Sequence, residues 1–168
     1  MTTSVQSGFG SGIMAGGFIL NSELTDFSFK PADLSGSLIA NRVEGGKRPR
    51  RSMSPTIVFD PNGKLYALLG LPGGNRIILY TLMAIVCLID WHCSPLFAAA
   101  LPNFGSRNGP LEVEAGTEAQ TELSPAFARL GASVSPVDMT SGLGIIVFHA
   151  GAIEGAADPR REGLARGD

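Results

Sequence analysis

Two acidic residues, Glu23 and Asp26, stand three positions apart just after the apolar Phe18-Ile-Leu20. That spacing either clamps a cationic amine between two carboxylates or leaves both facing solvent. Gly73-Gly74 precedes a long apolar run, where bare backbone N–H groups could meet an anion or a developing oxyanion. On composition alone the pair reads first as a tight turn. The basic segment Lys47-Arg-Pro-Arg-Arg51 is short, isolated and set in a net acidic chain, which argues against a nucleic-acid patch. Gly10-Ser-Gly-Ile-Met-Ala15 meets the loose G-x-G-x-x-A dinucleotide spacing, but Gly16-Gly17 and a β-prone run follow where a helix should open. Gly70-Leu-Pro-Gly-Gly74 lacks the Gly-Lys-Ser/Thr ending of a phosphate loop, and no Gly-x-Ser-x-Gly elbow occurs. His92 and His149 are far apart and read as structural. Cys87 and Cys93, six apart with no Cys-x-x-Cys or histidine partners, are expected to be buried free thiols rather than a zinc site or a disulfide framework.

The elements that must position these residues follow from turn chemistry and periodicity. Thr2 to Gln6 and Ile13 to Leu20 read as strands joined by Gly8-Phe-Gly-Ser-Gly12. Thr56 to Phe59 and Lys64 to Leu69 flank Asp60-Pro-Asn-Gly63, the clearest hairpin signal in the chain. From Ile77 to Ile89 apolar residues run all round without period-2 alternation, which predicts a buried helix too short to span a membrane. Ser124-Pro125 predicts an N-cap and first helical position, with Gly131 as the stop. Ser133 to Val137 and Leu143 to Phe148 are further strands, and the tail from Ala156 is expected to be irregular. The polar stretch from Ser28 to Ser52 is long for a connection, a length usually tied to function or disorder. Sheet packed against helices, an α+β arrangement, is the expected class.

With 168 residues, 44% of them hydrophobic, one domain able to bury a core is expected over residues 1–168. A formal charge of −2 gives no basic excess for a nucleic-acid backbone. The 22 glycines and 11 prolines indicate a turn-rich fold rather than low complexity. The first 20 residues lack a basic leader region and are broken by glycines, unlike a signal peptide.

In order along the chain, Phe9-Gly-Ser-Gly12, Leu20-Asn-Ser-Glu-Leu-Thr-Asp-Phe-Ser28, Lys47-Arg-Pro-Arg-Arg-Ser-Met-Ser-Pro-Thr56, Gly70-Leu-Pro-Gly-Gly-Asn-Arg-Ile77 and Ala157-Asp-Pro-Arg160 resemble successive blocks of the gamma-glutamyltranspeptidase small subunit. The resemblance covers nearly the whole chain. It implies a four-layer αββα N-terminal-nucleophile hydrolase sandwich, here partial and lacking its first strand. It also implies a γ-glutamyl substrate such as glutathione and a large subunit cut from the same precursor. A threonine acts as nucleophile in that family, freed by self-cleavage, and neither cofactor nor metal is called for. Export to the periplasm or cell exterior is implied only if the full precursor carries a signal peptide.

Carried over by position, Gly73 and Gly74 match the oxyanion-hole pair, and Glu23 and Asp26 match the residues that hold the substrate α-amino group. Ser52 matches the second serine of the pair that holds the α-carboxylate. Arg51 replaces the first, either supplying a charge-assisted contact or crowding the pocket. Counting back without gaps from Phe9 places Thr2 to Gln6 on the family's Thr-x-Thr-x-Asn strand. Ser4 then takes the place of the threonine that supports the nucleophile, and Gln6 that of the asparagine. The nucleophile itself is then expected about one hairpin upstream, roughly 15 residues by typical strand and turn lengths. On this reading the chain is expected to be an amino-terminally truncated fragment, or a reading frame begun at an internal methionine, and inactive alone. Placing the nucleophile at Thr2 would delete a strand pair, and the competing functional expectation is a non-catalytic remnant that binds a γ-glutamyl ligand or a partner subunit.

Overall fold

The computed structural model describes residues 12–167, and the chain divides into two compact units, Met1–Ser52 and Met53–Asp168. The strand expected over Thr2 to Gln6 lies outside the described residues.

In the first unit, the strand expected from Ile13 to Leu20 folds back on itself. Met14–Ala15 (β1) and Phe18–Ile19 (β2) pair around Gly16-Gly17, whose φ values of 60° and 86° suit a two-residue hairpin turn, a conformation that glycine adopts most readily. A 3-10 turn over Glu23–Asp26 follows. The long polar stretch after it forms only isolated bridges, Ser28 with Arg42 and Ala32 with Leu38. Its order comes from side chains instead: Asp33 Oδ1 accepts the Ser35 and Ser37 N–H groups at 2.8 and 3.0 Å.

The second unit opens on the expected hairpin, Thr56–Phe59 (β3) and Leu65–Gly70 (β4). Asp60 Oδ1 accepts the N–H groups of Asn62 and Lys64, both at 2.8 Å, and Gly63 takes a φ of 77° that closes the turn. After a 3-10 turn over Gly74–Arg76 comes the helix Ile77–Ile89 (α1), with the predicted bounds. Its burial departs from expectation. Ile77, Tyr80, Thr81, Ala84, Cys87 and Leu88 form one buried stripe at helical spacing, while Ile78 and Leu82 on the other side stay more than half exposed.

Cys87 and Cys93 form a disulfide, which corrects the expectation of free thiols. The chain turns back after α1, with His92 at a φ of 54° and the Cys93 N–H on the Cys87 carbonyl at 2.9 Å. That reversal brings the two Cα atoms to 5.3 Å, within bridging range. Pro95–Ala100 (α2) follows, capped by Ser94 Oγ, which accepts the Phe97 N–H at 3.2 Å.

Phe104–Gly105 (β5) pairs antiparallel with Leu111–Glu114 (β6), which runs parallel to Val134–Val137 (β7). Between them lies Ser124–Arg129 (α3). Ser124 is not its cap, because a π-helical segment over Ala119–Leu123 already carries the backbone in helical geometry. Gly131, at a φ of 85°, ends the segment as expected. Gly144–His149 (β8) and Ala152–Ala157 (β9) complete an antiparallel sheet of order β3-β4-β8-β9. Strand β9 falls partly in the tail expected to be irregular.

One face of this sheet, through Ala67, Leu69, Ile145 and Val147, packs with Ala84, Cys87 and Leu88 of α1 and Ala98 and Ala99 of α2. The other face carries the cross-strand row Ile57, Leu68 and Ile146, of which Ile57 and Ile146 are exposed. Among the described residues no helix is long and apolar enough to cross a membrane.

Candidate functional site

The acidic turn of the first unit is built by its own backbone. Thr25 Oγ1 donates to the Ser22 carbonyl at 2.7 Å, and Asn21 Oδ1 accepts the Glu23 N–H at 3.2 Å. In a 3-10 turn, side chains three apart eclipse, so Glu23 and Asp26 project on one side. Both meet the same cation: Arg51 donates through Nη1 to Asp26 Oδ2 and through Nη2 to Glu23 Oε1. Each of the three side chains has less than a third of its surface exposed.

Asn41, which no sequence motif flags, ties the two segments together. Its Nδ2 donates to the Asp26 carbonyl at 2.6 Å, and its Oδ1 accepts the Arg50 N–H at 2.9 Å. Thus one amide side chain fixes the acidic turn beside the arginine that pairs with it. Ser52, next in the chain, is half-buried. The structure therefore brings together Glu23, Asp26 and Arg51, while Ser4 and Gln6 lie outside the described residues.

In the second unit, Gly73 and Gly74 form the entry to α1. The Gly73 carbonyl accepts the Arg76 N–H at 3.2 Å, and the Gly74 carbonyl accepts that of Ile77. Gly73 has a φ of 154° with ψ at 11°, and a Cβ there would lie 2.8 Å from Tyr80 Cε2. No other residue fits that position without moving the ring. Arg76, a positive charge at the positive end of a helix, is balanced by Glu112, which accepts from Arg76 Nε and Nη2 at 2.8 and 3.0 Å. Arg107 adds a third bond at 2.9 Å. These hydrogen bonds, Arg76 first and Arg107 second, hold the Glu112 carboxyl down at about 2.

A second charged assembly explains the Ala157-Asp-Pro-Arg160 block. Arg160 meets Glu114 with two parallel bonds and donates to the Leu101 carbonyl at 2.8 Å and to Asp158 Oδ1 at 3.0 Å. Ser141 Oγ donates to Asp158 Oδ2 at 2.5 Å, and Asn103 donates its N–H to Glu114 at 2.7 Å. Burial raises the Asp158 pKa, but the bonds from Ser141, Arg160 and Leu143 outweigh it and hold the carboxyl below its ordinary range. This assembly joins the end of α2, β6 and the segment after β9, so its role is to lock the unit together.

His149 contacts Glu154 at 3.2 Å on the surface and, like His92, takes no part in either arrangement. Among the described residues no group of three or more histidine, cysteine, aspartate or glutamate side chains is placed to hold a metal ion.

The sequence profile of the gamma-glutamyltranspeptidase family matches residues 1–167. The glutathione hydrolase proenzyme of Escherichia coli is 37% identical over 173 residues, covering 95% of this chain and 29% of that protein. The proenzyme of Bacillus subtilis is 34% identical over 172 residues, covering 99% of this chain and 28% of that protein. The chain therefore spans less than a third of either relative. Among solved structures, gamma-glutamyltranspeptidase from Pseudomonas nitroreducens complexed with L-DON superposes with a TM-score of 0.81 at 28% identity, covering 100% of this chain and 92% of that one. The α+β arrangement is thus that of an N-terminal-nucleophile hydrolase.

Proposed function

The chain belongs to the gamma-glutamyltranspeptidase family, and from that premise we propose that it supplies the substrate cradle and oxyanion turn of an enzyme acting on γ-glutamyl amides such as glutathione. The observation that carries this reading is the convergence of Glu23 and Asp26 on one nitrogen cation. Two carboxylates held on one side of a turn are what recognition of a substrate α-ammonium requires.

In this account Ser52 takes the α-carboxylate and the Gly73 and Gly74 backbone receives the oxyanion, aided by the positive end of α1. Ser4 supports the nucleophile, Gln6 lines the substrate, and the nucleophilic threonine belongs to the strand before Ser4. Its hydroxyl attacks the γ-carbonyl while its α-amino group, with an ordinary pKa near ~7.7–8, accepts the proton. The amine leaves with that proton, and water or an amino acid takes the acyl group from the ester. The large subunit of the same precursor is the assigned partner, a reading supported by the exposed apolar side chains on the outer faces of the sheet and of α1.

The test is turnover of a γ-glutamyl anilide by the intact protein containing this chain, with Glu23→Gln and Asp26→Asn compared against wild type. A raised KM in both variants supports the cradle, and unchanged kinetics in both would refute it.

A further inference from the structure

The three-stranded sheet meets the entry to α1 on a single rung. Gly105 of β5 and Glu112 of β6 are cross-strand partners. Glu112 accepts from Arg76 Nε and Nη2 at 2.8 and 3.0 Å. A Cβ at Gly105 would lie 2.5 Å from Leu79 Cδ1, so the strand backbone lies flush against that side chain. Positions 76 and 79, three apart, share one face of the helix. The next residue, Tyr80, packs against Gly73, and the Arg76 N–H bonds the Gly73 carbonyl at 3.2 Å. The rung is thereby linked to the glycine pair through one helical turn.

Adjacent glycines bring no side chain to anchor them and carry the freest backbone of any residue. An oxyanion turn is effective only when its donors stand in place before charge develops. The restraint has to come from neighbours. Arg76 and Glu112 each have less than a third of their side-chain surface exposed, and their two parallel bonds fix direction as well as charge. We infer that Glu112 is a positioning residue for acyl transfer, holding the Gly73-Gly74 turn in place through Arg76. The inference rests on the γ-glutamyl reading above. Arg107 supplies the internal control, because it also donates to Glu112, at 2.9 Å, but from the connection between β5 and β6 rather than from α1.

The experiment pairs turnover of a γ-glutamyl anilide by the intact protein with amide hydrogen exchange across residues 73–79. Glu112→Gln is expected to lower kcat about tenfold with KM within about threefold of wild type. Exchange in that segment should rise about tenfold. Arg107→Gln should stay within about threefold of wild type in all three readouts. Adding Arg76→Gln to Glu112→Gln should lower kcat by no more than about a further threefold, since the two act as one unit. Arg76→Gln alone leaves Glu112 its bond from Arg107 and should reproduce both effects, which keeps the test decisive where Glu112→Gln does not fold. Wild-type kcat in either folded variant overturns the inference, as does an equal kcat loss in Arg107→Gln. Unchanged exchange overturns it whatever the activity. Faster exchange confined to residues 73–79 in a protein that cleaves no anilide supports the positioning role and counts against the hydrolase reading alone.

Discussion

Arg160 and Glu114, 46 positions apart, meet in a two-pronged ion pair, Nε to Oε1 at 2.6 Å and Nη2 to Oε2 at 2.9 Å. Their side chains are 15% and 9% exposed, and Asp158 on the other edge of the guanidinium is 1% exposed. Removing the arginine alone therefore strands two largely buried carboxylates. Arg160→Met should cost about 3–5 kcal/mol in urea unfolding. The double change Glu114→Met with Arg160→Met should cost less than the single one. A single-variant loss below about 1 kcal/mol would contradict the lock.

Acid should weaken the second unit through Glu112, whose folded pKa lies at about 2, below the ordinary 4.5. A group depressed on folding contributes its full share above the unfolded value, and that share is lost as pH falls through the folded one. Melting temperature should thus decline between about pH 4.5 and 2. Glu112→Gln should melt lower than wild type at pH 6, with the gap closing toward pH 2. A gap that persists at pH 2 would assign its effect to packing rather than charge.

The glycine pair should respond unequally to alanine. At Gly73 the added Cβ meets Tyr80 at 2.8 Å, whereas at Gly74, with a φ of 59°, it meets nothing within 4 Å. Gly74→Ala is expected to cost about 1 kcal/mol from backbone conformation alone. Gly73→Ala should cost about 2–3 kcal/mol and lower kcat more than it changes KM. Equal thermal shifts in the two variants would count against the described entry to α1.

The bridge between Cys87 and Cys93 closes a short loop at the end of α1. Alkylation of the unreduced, unfolded protein should leave both cysteines unlabelled by mass. Replacing both by serine should destabilise by about 2 kcal/mol on loop-closure grounds. Two labelled thiols in protein never exposed to reductant would contradict the bridge.

Local signals gave the sequence reading its accurate parts. The Asp60 to Gly63 turn and the bounds of α1 depend on residues within a few positions of each other, so both were legible. What the chain decides at long range was not. Strand β9 contains Gly155 and three alanines, weak strand formers, and exists because β8 lies beside it. Ser124 looked like a cap because nothing in Ala119–Leu123 announces a π-helical lead-in. The disulfide depends on how the chain reverses after Ile89, which spacing does not encode. In the candidate site, Glu23 and Asp26 were legible through motif, but the resemblance left Arg51 open between a substrate contact and an obstruction. Its pairing with both acids is a tertiary fact, as is the bracing by Asn41.

The most direct test follows a γ-glutamyl anilide through one turnover of the intact protein containing this chain, by quenched-flow mass spectrometry with amine release recorded in parallel. The account predicts an acyl adduct on a peptide that begins with threonine, released by water or an amino acid, and formed with a KM raised about tenfold or more by Asp26→Asn. Amine release without a threonine adduct, or an adduct whose formation ignores both Glu23→Gln and Asp26→Asn, would contradict it.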